Sequence, residues 1–191
     1  MKMKKIALSA SLALLALGGV STAMAQDTSG AGGFVTAQVG NAHWNALGEH
    51  VNRFDYGVSG GYRWALDANQ SLGAELGYTN FGRIRGTAFG LVPYSVKGEG
   101  ITLGANYRYN FQDPSIYLVG RAGYLRARVH ENVPGYGHLN DYSNGYYVGA
   151  AVGYDFTPAF GMQVGYDYNR AKPFGGHANL NVVSVGAEYR F

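Results

Sequence analysis

Five histidines are the residues of this chain with the widest chemical range, because imidazole can act as a general base or a metal ligand near neutral pH. One of them begins the segment His138-Leu-Asn-Asp141-Tyr-Ser143, which contains the residue types of a nucleophile and its base. Spacings of three and five residues in an irregular segment do not set a catalytic geometry. We therefore predict no catalytic residues.

Four of the histidines form two sequence pairs that suggest a second kind of chemistry. His43 with His50 and His130 with His138 could converge as imidazole ligands of a metal ion. Nothing in the sequence sets their mutual distances, so we predict no metal site and no cofactor. The chain contains no cysteine, which excludes a disulfide scaffold, a thiolate zinc site and a thiol nucleophile.

The net positive charge of the chain comes from its N-terminal segment. Lys2, Lys4 and Lys5 precede the apolar residues 6–20, and Ala23-Met24-Ala25 follows, which is the pattern of a cleaved secretory signal peptide over residues 1–25. The apolar stretch is shorter than the roughly 20 residues of a membrane-spanning helix. Cleavage after Ala25 would leave residues 26–191 with balanced charges. The formal charge of +3 therefore indicates no affinity for nucleic acid.

Beyond residue 26 the chain alternates between apolar and polar or small residues, which is the period of a β-strand. In one segment Tyr56, Val58 and Tyr62 share one parity, whereas Ser59 and Arg63 share the other. The alternation predicts eight strands, at residues 33–41, 55–64, 71–81, 96–111, 116–129, 144–156, 160–169 and 180–191.

The connections between the predicted strands alternate in length. Short ones lie at residues 65–70, 112–114 and 157–159, and long ones cover residues 42–54, 82–95, 130–143 and 170–179. Short periplasmic turns and long extracellular loops between an even number of antiparallel strands are typical of an outer-membrane barrel. We predict an all-β domain over residues 26–191, an eight-stranded antiparallel up-and-down transmembrane β-barrel.

The placement of aromatic residues favours this barrel over a soluble lipocalin-like or sandwich fold. On the apolar parity one set lies beside the short turns and the C-terminus: Tyr62, Trp64, Tyr107, Tyr109, Phe111, Tyr154, Phe156, Tyr189 and Phe191. A second set lies at the opposite strand ends: Tyr56, Tyr78, Tyr124, Tyr146, Tyr166 and Tyr168. Two aromatic girdles around an apolar band are expected of a lipid-facing wall, whereas a soluble fold has no reason to segregate tyrosines by depth.

Eight charged residues share the polar parity, which in a barrel faces the lumen. They are Arg63, Glu75, Arg108, Arg121, Asp155, Asp167, Glu188 and Arg190. Four cations and four carboxylates balance, so we expect a paired network with a structural role. Because an eight-stranded barrel encloses room for side chains only, we predict a filled lumen and no open pore. Glu75 should lie opposite Ser59 or Gly61, within diagonal reach of Arg63.

Over residues 26–191 the chain resembles the small eight-stranded outer-membrane barrels of the OmpA/OmpX type. The most specific element is the last strand, where Val183, Val185, Ala187, Tyr189 and Phe191 occupy alternate positions. The resemblance implies that Tyr189 and Phe191 form a signal for the barrel-assembly machinery and that the protein resides in a Gram-negative outer membrane. Because the sequence ends at Phe191, the resemblance does not imply a peptidoglycan-binding domain.

The resemblance further implies a monomer with a structural or surface-binding role in envelope integrity or adhesion. The long connections would bind any host or cell-surface ligand. They and the outer rim contain Trp44, Phe89, Leu91, Tyr94, Tyr136, Tyr142, Phe174, Arg83, Arg85, Arg170 and Lys172. Arg126 and Arg128 would contact lipopolysaccharide phosphates. Two alternatives remain open, a lipid A-modifying enzyme that uses a loop histidine and a narrow channel for small solutes.

Overall fold

Eight antiparallel strands form the molecule. The computed structural model describes residues 29–46, 49–88, 92–113, 115–133, 137–171 and 178–191. The strands are β1 (Gly32–Ala46), β2 (Glu49–Ala65), β3 (Gln70–Ala88), β4 (Val92–Asn110), β5 (Ile116–Val133), β6 (Gly137–Thr157), β7 (Phe160–Ala171) and β8 (Ala178–Arg190). The predicted signal peptide, residues 1–25, lies outside the described residues, as do Phe89, Leu91, Tyr136, Lys172, Phe174 and His177.

The strands close into a barrel. Each pairs with its neighbour along the chain, and β8 pairs with β1, so the predicted up-and-down topology is confirmed. Closure satisfies the backbone hydrogen bonds between strands, which matters in lipid because the hydrocarbon offers no alternative partner. Among the residues that the structure describes, no helix is long and apolar enough to cross a membrane.

The outer wall of the barrel is apolar. Leu76, Leu103 and Val164 are each 59% exposed, an arrangement that would be unfavourable in water and that suits contact with lipid. The aromatic residues of both predicted girdles lie on this wall, above and below the aliphatic band. In the girdle beside the short turns, the ring centroids of Tyr62 and Trp64 are 5.3 Å apart.

The strands are longer than the alternation predicts, and three of the four predicted long loops, at residues 42–54, 82–95 and 130–143, are mostly strand. Residues 42–46 and 49–54, 82–88 and 92–95, and 130–133 and 137–143 are strand, which leaves connections at 47–48, 89–91, 134–136 and 172–177. An alternating hydrophobic pattern marks a strand only where one face is apolar and the other is polar. Backbone pairing continues regardless, and a hydrophobic pattern does not detect it.

Above the outer girdle the barrel divides into two projecting sheets. Pairing between β2 and β3 ends at Tyr56 and Asn80, and pairing between β6 and β7 ends at Gly145 and Ala171. The hairpins β3–β4 and β5–β6 continue together as one four-stranded sheet. At roughly 3.3 Å per residue, β3 extends roughly 30 Å past the girdle residue Tyr78.

A bulge in β3 marks the point of division. The register of β3 against β4 shifts between Asn80 and Arg83. Gly82 has a φ of 82°, in the left-handed region that favours glycine. A Cβ at Gly82 would lie 2.7 Å from the carbonyl oxygen of Phe54, so the close approach of β2 also requires glycine.

Side chains fill the lumen in layers. Charged groups with Tyr117 and Val119 occupy the end beside the short turns. An apolar cluster crosses the opposite end, made of Ala42, Phe81, Leu125, Ala127, Ala171, Leu180 and Val182. This apolar cluster lies at the level where the projecting sheets begin, so it separates the polar lumen from the outer surface.

Candidate functional site

The layer of the lumen beside the short turns is organised around Glu188 of β8. Its carboxylate accepts two hydrogen bonds from Arg63, at 2.9 and 2.8 Å. Arg108 and Arg190 each donate one more at 3.2 Å. Glu188 and Arg63 are each 1% exposed, and Arg108 is fully buried. Three guanidinium groups therefore depend on one buried carboxylate.

Asp155 of β6 supplies a second negative charge to the same layer. Its Oδ2 forms ion pairs with Arg108 and, at 2.8 Å, with Arg190. Two aromatic rings also belong to this layer. Arg63 lies 3.8 Å from the ring centroid of Phe34, and Arg108 lies 3.7 Å from that of Tyr117. These distances allow cation–π attraction in a site without bulk water.

The middle of the lumen contains the remaining predicted charges. Glu75 lies opposite Gly61, as the sequence predicts, but its partners are neutral. It accepts hydrogen bonds from the Asn106 amide and the Tyr147 hydroxyl, each at 2.7 Å. Arg63 donates to Asn106 at 2.6 Å, so Asn106 bridges the two residues instead of a direct pair.

Arg121 and Asp167 form a separate pair at this level. The guanidinium donates from Nε to Asp167 Oδ1 at 2.7 Å and forms an ion pair with the same carboxylate. It also donates to the Gln38 amide oxygen at 3.0 Å. The Asp167 side chain lies over Gly149 of β6, because a Cβ at Gly149 would lie 1.9 Å from Asp167 Oδ1. The structure thus places all eight predicted charges in the lumen, seven of them in ion pairs.

The sequence interpretation missed several lumen residues that complete this arrangement. They are Gln38, Asp55, Asn106, Tyr117 and Tyr147, all lining the interior. Asp55 shares the parity of Arg63 in β2, and Asn106 shares that of Arg108 in β4. Strict alternation along the predicted strands 55–64 and 96–111 therefore places both side chains in the lumen, so the sequence contained the signal for them.

A basic and aromatic surface lies on the outer wall at the outer girdle. We call Tyr78, Lys97, Glu99, Arg126, Arg128 and Tyr142 the outer basic patch. Arg126 and Arg128 lie 5.4 and 5.2 Å from the ring centroid of Tyr142. The patch borders a groove of about 310 Å³ on β3, β4, β5 and β6.

Glu99 contacts three other residues of the outer basic patch. Its Oε2 accepts hydrogen bonds from the Tyr78 hydroxyl at 3.1 Å and from the Lys97 ammonium at 3.0 Å. Arg128 approaches the other carboxylate oxygen to 4.0 Å. The patch contains three cations and one carboxylate, so it has a net positive charge at the level of the outer girdle.

The comparison with known families settles the class of protein. A family model for the outer membrane protein beta-barrel domain matches residues 10–191. The chain belongs to this family. Its outer-membrane location, predicted from the sequence, is thereby confirmed.

Two curated relatives of this outer-membrane barrel illustrate its sequence similarity. Outer membrane protein P5 of Haemophilus influenzae is 32% identical over 133 residues, covering 66% of this chain and 37% of P5. Outer membrane protein A of Salmonella typhi is 26% identical over 210 residues, covering 99% of this chain and 56% of that protein. The barrel therefore spans only part of the length of these relatives.

Solved structures share the fold of this outer-membrane barrel. Neisserial surface protein A matches with a TM-score of 0.63 at 18% identity, covering 83% of this chain and 97% of that one. Ail of Yersinia pestis matches with a TM-score of 0.57 at 14% identity, covering 84% and 99%. At these identities the likeness shows the barrel architecture.

The histidines of this outer-membrane barrel do not form a described site. His43 is exposed on β1, and the side chains of His50, His130, His138 and Asp141 lie outside the described residues. Ser143 is buried on β6. Among the residues whose side chains are described, no group of three or more His, Asp or Glu residues could hold a metal ion. The side chains of Trp44, Arg83, Arg85 and Tyr94 also lie outside the described residues. Arg170 is half-buried on β7.

The last residues of the barrel close it onto β1. The backbone N–H of Phe191 donates to the Gly33 carbonyl at 3.0 Å, and the Gly33 N–H donates to the Phe191 carbonyl at 3.1 Å. The Tyr189 and Phe191 rings are both exposed on the outer wall, with centroids 6.5 Å apart. Both rings therefore face the surroundings of the barrel rather than its core.

Proposed function

We propose that this outer-membrane barrel is a structural envelope protein that neither catalyses a reaction nor conducts solutes. The observation that supports this proposal is the ion network around Glu188, because three guanidinium groups and two carboxylates occupy the lumen where a pore would run. The apolar cluster adds a second barrier toward the outer end. We also propose that cleavage after Ala25 produces the monomeric domain of residues 26–191.

Planar-bilayer recordings test the closed lumen. We expect the protein purified from outer membranes to give no stable conductance steps at the level of a porin, because eight strands enclose a packed interior. A porin inserted into the same bilayers is the positive control. Reproducible openings by the purified barrel would contradict the proposal and support a narrow channel for small solutes.

We propose that the outer basic patch attaches the barrel to lipopolysaccharide. Guanidinium groups pair with phosphate oxygens through charge-assisted hydrogen bonds, and each cation near an anionic surface contributes about 1 kcal/mol. Arg126 is exposed and Arg128 partly so, beside a groove of about 310 Å³ that offers room for a headgroup. Tyr142 would hold both guanidinium groups at this depth through cation–π contacts.

The double substitution Arg126→Ala with Arg128→Ala tests this attachment. We expect the affinity for lipopolysaccharide in nonionic detergent to fall about thirtyfold, equivalent to roughly 2 kcal/mol for two cations. Titration by thermophoresis measures the change. Arg170→Ala removes the same side chain from β7, outside the patch, and should have a smaller effect than either single patch variant.

Dephosphorylated lipid A is the ligand control for the patch. The wild-type barrel should bind it weakly, and the double variant should bind it no more weakly than the wild type. An equal loss with Arg170→Ala, or an unchanged affinity of the double variant for lipopolysaccharide, would show that the patch is not the site.

The projecting strands favour a second candidate, surface binding in adhesion. The four-stranded sheet of β3–β6 has its edges on β3 beyond Asn80 and on β6 before Gly145, within the described residues. Such edges and their connections could bind a host or cell-surface ligand. Ail of Yersinia pestis was solved with the heparin analogue sucrose octasulfate, at 17% identity to this chain. Whole-cell binding with and without the protein distinguishes adhesion from a purely structural role.

A further inference from the structure

A small chamber lies in the lumen between the Arg121–Asp167 pair and the apolar cluster. Its volume is about 40 Å³. At about 10–15 Å³ per ordered water, it has room for roughly three water-sized occupants. Phe81 and Val182 form part of its wall, and both belong to the apolar cluster.

Asp55 of β2 faces this chamber with an unsatisfied carboxylate oxygen. The side chain is 0% exposed. Its Oδ2 accepts a hydrogen bond from the Thr79 hydroxyl at 3.2 Å. Its Oδ1 is buried and accepts no hydrogen bond from any residue that the structure describes. A buried carboxylate oxygen without a partner is unfavourable, so this position calls for an additional group.

The charged groups around the chamber leave Asp55 uncompensated. Its described lining contains the carboxylates of Asp55, Glu75 and Asp167, with Arg121 as their cation. Arg121 is already bound to Asp167 and to the Gln38 amide. The two oxygens of Glu75 are occupied by neutral donors. Buried charges in proteins are paired, bound to a metal ion or neutralised, and Asp55 has no ion-pair partner within the described chain.

The other groups in the chamber wall are oxygen donors suited to a hard cation. Ser59, Thr79 and Thr102 place hydroxyl groups along the same wall as Asp55. A carboxylate, hydroxyls and water are the ligands that hard cations prefer. Asp55 Oδ1 is the carboxylate oxygen of the lining that has no described donor, and one monovalent ion would offset the single charge of Asp55. A polyvalent metal would favour a group of several ligating side chains, and the described residues contain none.

We propose that this chamber binds one small monovalent cation, of the sodium or potassium class, through Asp55. The ion occupies the space beside Oδ1, and the chamber hydroxyls and bound water complete its oxygen shell. It supplies the positive charge that the lumen lacks at this level. It therefore stabilises the barrel without passing through it, since the apolar cluster lies on one side and the Arg121–Asp167 pair on the other.

Refolding in different salts tests this site. The purified barrel is unfolded in urea and refolded in nonionic detergent with sodium, potassium or choline chloride at equal ionic strength, so that the site can fill during folding. We expect the thermal unfolding midpoint to be about 5 °C higher in sodium or potassium than in choline. Amide chemical shifts should differ between these salts chiefly near Asp55, Thr79 and Thr102.

Asp55→Asn retains the shape of the side chain and removes its charge. This variant should lose the difference between cations, and in choline it should be no less stable than the wild type. Asp113→Asn removes an exposed carboxylate from the β4–β5 turn and should keep the difference. If Asp55→Asn fails to fold, the chemical shifts of the wild type still decide the proposal.

Three results would overturn the cation site. Wild-type midpoints that are equal in sodium, potassium and choline, with or without a dependence on pH, would show that water or a proton satisfies Asp55 instead. A cation effect that survives Asp55→Asn would place the ion elsewhere. A response to magnesium without a response to sodium or potassium would exclude a monovalent ion.

Discussion

Glu188→Gln should lower the free energy of unfolding by about 3–5 kcal/mol, the usual cost of removing one partner from a buried ion pair. Gln has nearly the volume of Glu, so the substitution removes charge rather than packing. It leaves Arg63, Arg108 and Arg190 with Asp155 as their remaining carboxylate in this layer. Urea titration of the refolded barrel, followed by tryptophan fluorescence, measures the loss.

Glu99→Gln is the matched control for this substitution. It removes the same charge from the outer wall, where Glu99 pairs with the partly exposed Lys97. Ion pairs in contact with solvent contribute about 0–1 kcal/mol, so the expected change is small. Equal effects of the two substitutions would show that the lumen network does not stabilise the barrel.

A second substitution in the same layer distinguishes two causes of the lost stability. One is the lost attraction between Glu188 and its guanidinium partners, and the other is the repulsion among those guanidinium groups once Glu188 is neutral. Adding Arg63→Gln to Glu188→Gln removes one of the uncompensated cations and should recover part of the lost stability. Full additivity of the two losses would indicate that Arg63 contributes chiefly through its hydrogen bond to Asn106 and its contact with Phe34.

Phe191→Ala should remove most of the folded protein from the outer membrane of cells while leaving refolding in detergent nearly unchanged. The substitution keeps the backbone pairing of residue 191 with Gly33 and removes a ring that is 44% exposed on the outer wall. The ring lies against Gly33 and Tyr189 at the surface of the wall and belongs to neither buried apolar cluster of the lumen. A large effect in cells would therefore reflect recognition by the assembly machinery, as the resemblance implies.

Phe156→Ala is the matched control for the terminal residue. Phe156 is 58% exposed in the same girdle, near the β6–β7 turn, and is not part of the terminal pattern. We expect it to assemble in cells nearly as well as the wild type. The ratio of folded to unfolded protein in membrane fractions, read from heat-dependent mobility on gels, compares the two variants. Equal losses would contradict a specific signal at Phe191, and poor refolding of Phe191→Ala in detergent would indicate a structural defect.

The membrane-spanning part of the fold was predictable from local sequence. Alternation assigned Val58 and Leu76 to the wall and Arg63 and Glu75 to the lumen, and the structure has them there. It succeeded because lipid on one face and a crowded interior on the other constrain every second residue. The same reasoning assigned residues 42–46, 82–88 and 137–143 to loops, whereas the structure has them as paired strands.

The contacts inside the lumen required the tertiary structure. Arg63 and Glu188 are separated by 125 positions, and they meet because the barrel closes between β1 and β8. Local spacing suggested Glu75 as the neighbour of Arg63. In the structure the Arg63 guanidinium crosses the lumen to Glu188, and Asn106 bridges Arg63 and Glu75. Asp55 became a site for the same reason, since its isolation depends on which groups the closed barrel brings near it.

The sequence by itself determined the strands of the wall, the two girdles and the lumen side of the eight predicted charges, since period two is a local property of each strand. The histidines, which have the widest chemical range by type, form no metal-binding group among the side chains that the structure describes. Only the closed barrel decided which charge meets which, because strand stagger sets the levels at which opposite walls face each other. Closure also buried the carboxylate of Asp55 with one oxygen that no described residue hydrogen-bonds.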